Sequence, residues 1–440
     1  MYRKKNRDEN YLFKELMPFG GRLDETNRWL KIKSLIPWEE LENSYAEHFA
    51  EGGRPALDGR MVIGLLLLKH MTQLSDREVH EYLRENVYWQ VFCGFEHFMT
   101  EKQLNASSLS KIRKVLGSQY VIKLEEKTYR ILIDRKIIRA KGVLVDGTVI
   151  PEKIRHPNDV GLLNDVREWA VKVLRDIMNK TGKKIRTYRR NARKGYLNFS
   201  KNKRKTGKMI KRARREMLQY VRRNLGQVRD WLQELDEKQR QKVEEMLKVA
   251  TMIYEQQLKM HREGIRRVDK RIVSFWRDYV RPIKRGKSGP KETEFGLKVC
   301  VSHVDGFAFV DAVGHENYSE ADVRIVEKQL ENYEQKFGKM PQSLIGDQLY
   351  GSRANRELLD KKKVRGAFRK LGRRCPESRQ QEQYVKRKQR ERNQVEGGFG
   401  NGKEHYGLDG IRYHGREGSE MWVRLGFLGM NLKAALARMS

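Results

Sequence analysis

Residues 141–150 read KGVLVDGTVI, a short β-branched apolar run with one carboxylate, Asp146, set inside it. A run of this length and composition is a buried strand, and a buried strand needs neighbours. None follows soon. From Asp159 to about residue 280, some 120 residues, the chain is charge-rich with helical spacing, and strand character returns only at Glu294. The economical reading is an α/β domain with a mixed sheet flanked by helices. Its first strand is separated from the rest by a large helical insertion.

Beyond the insertion the strand signals come close together. Glu294 to Val301 and Phe307 to Val313 flank an Asp305-Gly306 pair, the usual mark of a tight hairpin. A helix is expected from Ser319 to about Lys336, with Glu320 and Asp322 in its first turn. Then come a short strand at 343–347, a helix near 353–361 and a short strand at 364–368. A basic stretch precedes a final helical region. Before residue 135 the pattern is helical throughout. Ser75-Asp76-Arg77-Glu78 offers a capping box, and Ser107-Ser108-Leu109-Ser110 a second helix start. Helix, short turn, helix in this segment suits a helix-turn-helix and a dimerisation module equally. The expected organisation is an N-terminal helical DNA-binding or dimerisation domain over 1–135, catalytic-domain segments over 136–158 and 281–440, and the basic insertion over 159–280.

Charge narrows the partners. Lys and Arg number 93 against 58 Asp and Glu, a net charge of +35. An excess of that size favours a polyanion as partner. Residues 180–215 carry 17 Lys or Arg and no acid, with Tyr188, Tyr196 and Phe199 interleaved. Solvated helix faces normally mix signs; a one-sign run is tolerable when phosphates neutralise it. Arg189, Arg190, Arg193, Lys194, Lys201, Lys203, Arg204 and Lys205 are the candidate DNA contacts, and a stack of Tyr196 or Phe199 on a base competes with plain core packing. The longest apolar run, 61–68, has eight residues, against about 20 for a bilayer span. The amino terminus MYRKKNRDENYLFK lacks a signal peptide's apolar stretch. Cys93, Cys300 and Cys375 form no CxxC pair, so neither structural zinc nor a disulfide framework is expected. The expected setting is cytoplasmic and nucleoid-associated, with no membrane and no small-molecule substrate.

Three acids stand out by context. Asp146 lies in an apolar strand, Asp347 ends another in Leu344-Ile345-Gly346-Asp347, and Glu396 follows Arg392 by four residues. A carboxylate on a buried strand is costly unless paired or bound to a cation. Two such strands with a Glu on a later helix suggest a site for two hard divalent cations, the arrangement that promotes phosphodiester chemistry. Arg392, Glu396 and Lys403 fall on one helical face. Gly397, Gly398, Gly400 and Gly402 weaken the case for a continuous helix there. Asp311 and Asp305 are poorer candidates, one expected on the far strand of the meander and the other in the hairpin turn. The histidines show no close ligand pair.

These blocks, in this order, resemble the DDE transposases of bacterial insertion sequences, in the group of insertion sequence five and its relatives. Leu57-Asp58-Gly59-Arg60, Leu74-Ser75-Asp76-Arg77-Glu78 and Trp89-Gln90-Val91-Phe92-Cys93-Gly94 resemble the amino-terminal domain of that group. Val145-Asp146-Gly147-Thr148 is similar to its first catalytic strand. Pro282 to Lys287 with Glu294 to Lys298 resembles its next block, and Asp347-Gln348-Leu349-Tyr350-Gly351 its second catalytic motif. Arg392, Glu396 and Lys403 match its signature around the third acid, except that the opening Tyr is replaced by Gln389. The resemblance implies a ribonuclease H-like fold with Asp146, Asp347 and Glu396 as catalytic metal ligands. It further implies Mg²⁺ (with Mn²⁺ able to substitute), cleavage at terminal inverted repeats and transfer of a 3′-OH to target DNA. Arg392 and Lys403 would hold the backbone, and processing of two ends suggests a homodimer on double-stranded DNA. The alternative is a non-catalytic DNA-binding or architectural relative.

Overall fold

The structure, a computed structural model, describes residues 1–2, 4, 23–50, 52, 55–101, 104–284, 293–372 and 379–439. Arg285, Gly286, Lys287, Cys375 and most of the amino-terminal MYRKKNRDENYLFK lie outside them. The chain divides into two compact units, Met1–Glu152 with Leu297–Ser440, and Lys153–Gly296.

In the first unit α1 (Arg28–Lys33) and α2 (Trp38–Ala46) precede α3 (Gly59–Thr72), whose residues from Gly59 to His70 are all buried. A helix apolar on every side must be surrounded by protein. Its start is capped by Asp58, which accepts from the Met61 amide. The capping box expected at Ser75 is formed with Glu78 and opens α4 (Asp76–Glu85). Lys69 and Arg113 close on Asp76 at 2.7 and 2.6 Å. After α5 (Val87–Phe92) comes α6 (Ala106–Asp134), broken at Gly117, where φ is +66°. Its cap residue is Asn105, slightly before the Ser cluster read as the start. The strand expected around Asp146 follows as β1 (Val143–Pro151).

The second unit is the helical insertion. It contains α7 (Asp159–Thr181), α8 (Arg189–Lys201), α9 (Gly207–Asp230) and α10 (Glu237–Glu263). Their apolar faces share a core that includes Leu163, Trp169, Leu174, Leu218, Val221 and Ile253. Asp159 ties three elements by accepting from Arg214 at 3.1 Å, Arg271 at 2.7 Å and Gln257 at 3.2 Å. The strand β2 (Arg281–Lys284) pairs antiparallel with residues 293–296, the opening of β3 (Thr293–Val304).

Within the first unit β3 continues into a hairpin with β4 (Phe307–Gly314). Asp305 and Gly306 take φ of +52° and +84°, the left-handed pair that a two-residue hairpin turn requires. The helix α11 (Val323–Phe337) starts four residues later than expected, because the Asp322 side chain caps the Arg324 amide while Ser319 to Ala321 form a turn. Next come β5 (Ser343–Ile345), α12 (Arg353–Lys361), β6 (Arg365–Gly366), α13 (Arg379–His405) and α14 (Arg416–Met439). The strand order is β4-β3-β1-β5-β6, with β5 parallel to β1 and to β6. The helix α13 runs through all four glycines despite their low propensity. At Gly398 and Gly402 a Cβ would stand 3.0 Å from the His303 ring and 2.9 Å from Leu408, so close packing excludes larger residues there.

A boundary near residue 135 does not separate compact units. The amino-terminal helices and the sheet share one hydrophobic core, bridged by α14. Asn431 on that helix brackets the Ala308 amide and carbonyl at 3.0 and 2.6 Å. Arg424 meets the buried Glu125 at 2.7 Å and Glu420 at 2.8 Å. Burial pushes the Glu125 carboxyl up and Arg424 pulls it back. Breaking a buried pair from one side leaves an uncompensated charge, so Arg424→Met should lower unfolding free energy by about 3–5 kcal/mol. The double variant with Glu125→Gln should recover most of that in a denaturant titration. Among the described residues no helix is long and apolar enough to cross a membrane.

Candidate active site

Parallel pairing of β1 with β5 sets Val143 opposite Leu344 and Leu144 opposite Ile345. Continuing that register puts Asp146 level with Asp347, two residues past the end of β5. In order, β1 lies between β3 and β5, the kind of central position beside which open α/β sheets present ligand sites at strand ends. Asp146 is half-buried and accepts from the Gly147 amide at 2.8 Å. Asp347, also half-buried, caps the 3-10 turn 348–351 by accepting from the Leu349 amide at 2.8 Å.

Burial raises the pKa of Asp146. The Gly147 amide and Arg392 oppose the shift, and the charges of Asp347 and Glu320 add to it. Two of the three acids singled out in the sequence therefore act on each other directly. The third is placed differently. Glu396 is on α13 with 65% of its side chain exposed, and it pairs with Arg392 at 3.2 Å. The same Arg392 acts on Asp146, so it stands electrostatically between the Asp pair and Glu396. Lys403 lies seven residues past Glu396 on that helix. Among the described residues no three His, Cys, Asp or Glu are grouped as around a metal ion.

Two residues join the site unforeseen. Glu320 lies in the turn before α11, its side chain over Gly147, where a Cβ would meet it at 3.0 Å. It pairs with the buried Lys298 of β3. A lysine flanked by Leu297 and Val299 within that strand is a sequence signal for such a partner. The Tyr350 hydroxyl is buried without a hydrogen-bond partner, under the influence of Asp146, Glu320 and Asp347. An orphaned hydroxyl beside a half-buried carboxylate, Asp146, with Asp347 and Glu320 acting on it, fits a hard cation, which supplies the missing counter-charge.

The rival acids are structural. Asp311, on β4 and one strand removed from β1, accepts from Ser302 at 2.5 Å and Asn332 at 3.0 Å. Asp305 holds its turn by pairing with Lys141 and Arg438. His315 bonds Glu152 and His70 bonds Tyr413 inside the core.

In the insertion the eight candidate DNA contacts are all exposed. Arg189, Arg190, Arg193, Lys194 and Lys201 fall within an arc of about 140° on α8. Ala192, Tyr196 and Phe199 lie on the adjoining arc and face the core. The two aromatics are thus packing residues. Tyr188 is held between Arg186 and Arg223, at 4.5 and 4.4 Å from its ring. Lys203, Arg204 and Lys205 occupy the loop after α8, where Lys205 also bonds the Asn202 carbonyl at 2.6 Å.

The fold and site together define a mixed α/β protein with acids at adjacent strand ends and an exposed basic helix face. Residues 18–115 match the family described as "Transposase domain (DUF772)". Residues 352–436, which include Arg392, Glu396 and Lys403, match the "Transposase DDE domain" family. Two stretches of the chain are thus similar to transposase domains, the second of them to a DDE domain. It is 37% identical over 133 residues to a Rhizobium meliloti protein described as "Uncharacterized protein ORF8 in nfe locus". That alignment covers 30% of this chain and 64% of the relative, so less than two thirds of the relative's length is spanned. No solved structure matches.

The raised pKa of Asp146 has a thermodynamic consequence. The folded state holds that proton more tightly than the unfolded one, so this stabilisation is full at low pH and is lost as pH rises through the raised pKa. At neutral pH the ionised carboxylate therefore counts against the fold. In chelator at pH 7, Asp146→Asn should melt about 1–3 °C above the wild type. With Mn²⁺ added, the wild type should gain stability and the variant little, reversing the order. Parallel melting curves with and without Mn²⁺ would remove Asp146 from any metal site.

Proposed function

We propose that the chain binds the terminal inverted repeats of an insertion sequence, cleaves the DNA at those ends and joins the 3′-OH to target DNA. The observation that carries the reading is the register of β1 on β5, which aligns Asp146 with Asp347, with Arg392, the ion-pair partner of Glu396, acting on Asp146. The mixed sheet with β1 inside it and helices following β4, β5 and β6 supports a ribonuclease H-like catalytic domain, with 159–280 as its insertion. Asp146, Asp347 and Glu396 would hold divalent cations, Mg²⁺ with Mn²⁺ as substitute. Bound there, such ions supply activation of the attacking oxygen and stabilisation of the leaving oxygen. Were Glu396 to leave Arg392 on joining them, the freed guanidinium would be available to a DNA phosphate. Lys403 would extend that grip along α13, while the outer face of α8 and the loop after it hold duplex phosphates. Two ends handled together imply a homodimer on DNA.

The pairing of Glu396 with Arg392 is also what a non-catalytic DNA-binding relative would show, and one experiment separates the two. Purified protein is incubated with supercoiled DNA carrying the sequence that flanks its gene, in Mg²⁺ and in chelator. The enzyme reading requires metal-dependent nicking that is lost in Asp146→Asn. Tight binding without nicking supports the architectural one.

A further inference from the structure

We infer that Gln389 is a positioning residue: its amide clamps α13 onto the ends of β5 and β6 and so sets the place of Arg392 and Glu396 relative to Asp347. The inference rests on the catalytic reading above. Gln389 donates to the Gly346 carbonyl at 3.0 Å and to the Ala367 carbonyl at 3.1 Å. Gly346 follows the last residue of β5 and immediately precedes Asp347; Ala367 follows the last residue of β6. Both residues are buried, and a buried carbonyl left without a donor is costly. Two carbonyl acceptors can be met only by the NH₂ group, so the orientation of this amide follows from its partners.

The placement explains why one side chain suffices. Gln389 precedes Arg392 by three residues and Glu396 by seven, so all three share a helix face. A planar NH₂ bonded to two separate strand ends fixes both the slide of α13 along the sheet and its roll. Gly346 leaves no slack on the other side, because a Cβ there would stand 2.7 Å from the Tyr350 ring. A tyrosine has one O–H to donate and could not satisfy both carbonyls. The departure from the family signature at this position is thus a change of device, in which bonding to two strand ends holds the helix.

The test compares Gln389→Met, similar in shape but without donors, with Gln389→Lys, which keeps donors. Four quantities are measured on the full chain: melting temperature, affinity for end DNA, Mn²⁺ affinity by calorimetry without DNA, and single-turnover cleavage at saturating DNA. For Gln389→Met, Mn²⁺ affinity should fall about 10-fold and the saturated rate about 100-fold. End affinity should stay within about twofold, because phosphate contacts carry it. Gln389→Lys should regain at least about tenfold of the rate, since it restores donors to both carbonyls. Wild-type Mn²⁺ affinity and rate in the Met variant would overturn the inference. So would equal losses in both variants that track melting temperature, which would leave Gln389 a packing residue. Wild type and Asp146→Asn are run alongside. If the wild type does not cleave, the catalytic reading fails and the inference falls with it; if it cleaves and the Met variant does too, the inference alone fails.

Discussion

Cleavage of end-bearing DNA should fall at least about a thousandfold in each of Asp146→Asn, Asp347→Asn and Glu396→Gln, equivalent to a barrier about 4 kcal/mol higher. The size follows from what these residues are asked to do. If, as proposed, they hold the cations that activate the attacking oxygen and stabilise the leaving one, that hold is required in the transition state, and water does not replace a lost carboxylate there. Binding should respond in the opposite sense. Each change removes a negative charge, so on the proposed function affinity for end DNA, a polyanion, should be unchanged or slightly higher. The measurement is single-turnover cleavage in Mg²⁺ beside a binding titration in Ca²⁺ or chelator. Near wild-type cleavage in any one variant removes that residue from the site. Glu396→Gln is the most informative of the three, because Glu396 is paired with Arg392 and largely exposed. Should it alone stay active, the third ligand must be sought elsewhere, with Glu320 the first candidate by its place over Gly147.

Replacing Lys201, Lys203, Arg204 and Lys205 together by Ala should flatten the dependence of log affinity on log salt by up to about 3 to 4 units. Each phosphate neutralised by a cation releases counterion at about 0.9 per contact, so six contacts in this segment would give a slope near −5. Cognate and random duplex should weaken by similar factors, because phosphate contacts position a protein without reading bases. The exposure of all four supports the prediction. Lys205 is the member expected to contribute least, since its ammonium already bonds the Asn202 carbonyl. Parallel salt titrations with unchanged affinity would make this loop a solvated arm. The companion variant, Arg189, Arg190, Arg193 and Lys194 to Ala on α8, then decides whether the helix face binds DNA without the loop.

Much of the local structure could be read from the chain because its causes lie within a few residues. Lys141 to Ile150 is β-branched and apolar, and β1 spans Val143–Pro151. The left-handed turn at Asp305-Gly306 joins two apolar runs, and Ser75 with Glu78 caps its helix as the spacing predicts. The long helical interruption followed from the absence of any strand pattern between residues 159 and 280. Where two local signals competed, the reading slipped. Asp322 outcompeted Ser319 as the cap of α11, and at two of the four α13 glycines, Gly398 and Gly402, His303 and Leu408 pack where a Cβ would be.

The sequence by itself determined which residues could form strands and helices, where the positive charge is concentrated, and which acids sit in apolar surroundings. It could not determine what those acids face. Asp146 and Asp347 come level through a register between strands two hundred positions apart. Glu320 reaches Asp146 only because Gly147 leaves room for it. Arg392 acts on Asp146, and Gln389 finds two carbonyls at the ends of different strands. Propensity, capping and periodicity act over one or two turns of chain and leave their mark in the sequence. Register, helix roll and the pairing of charges far apart in sequence arise only when distant segments pack into one core, so only the tertiary structure decides them.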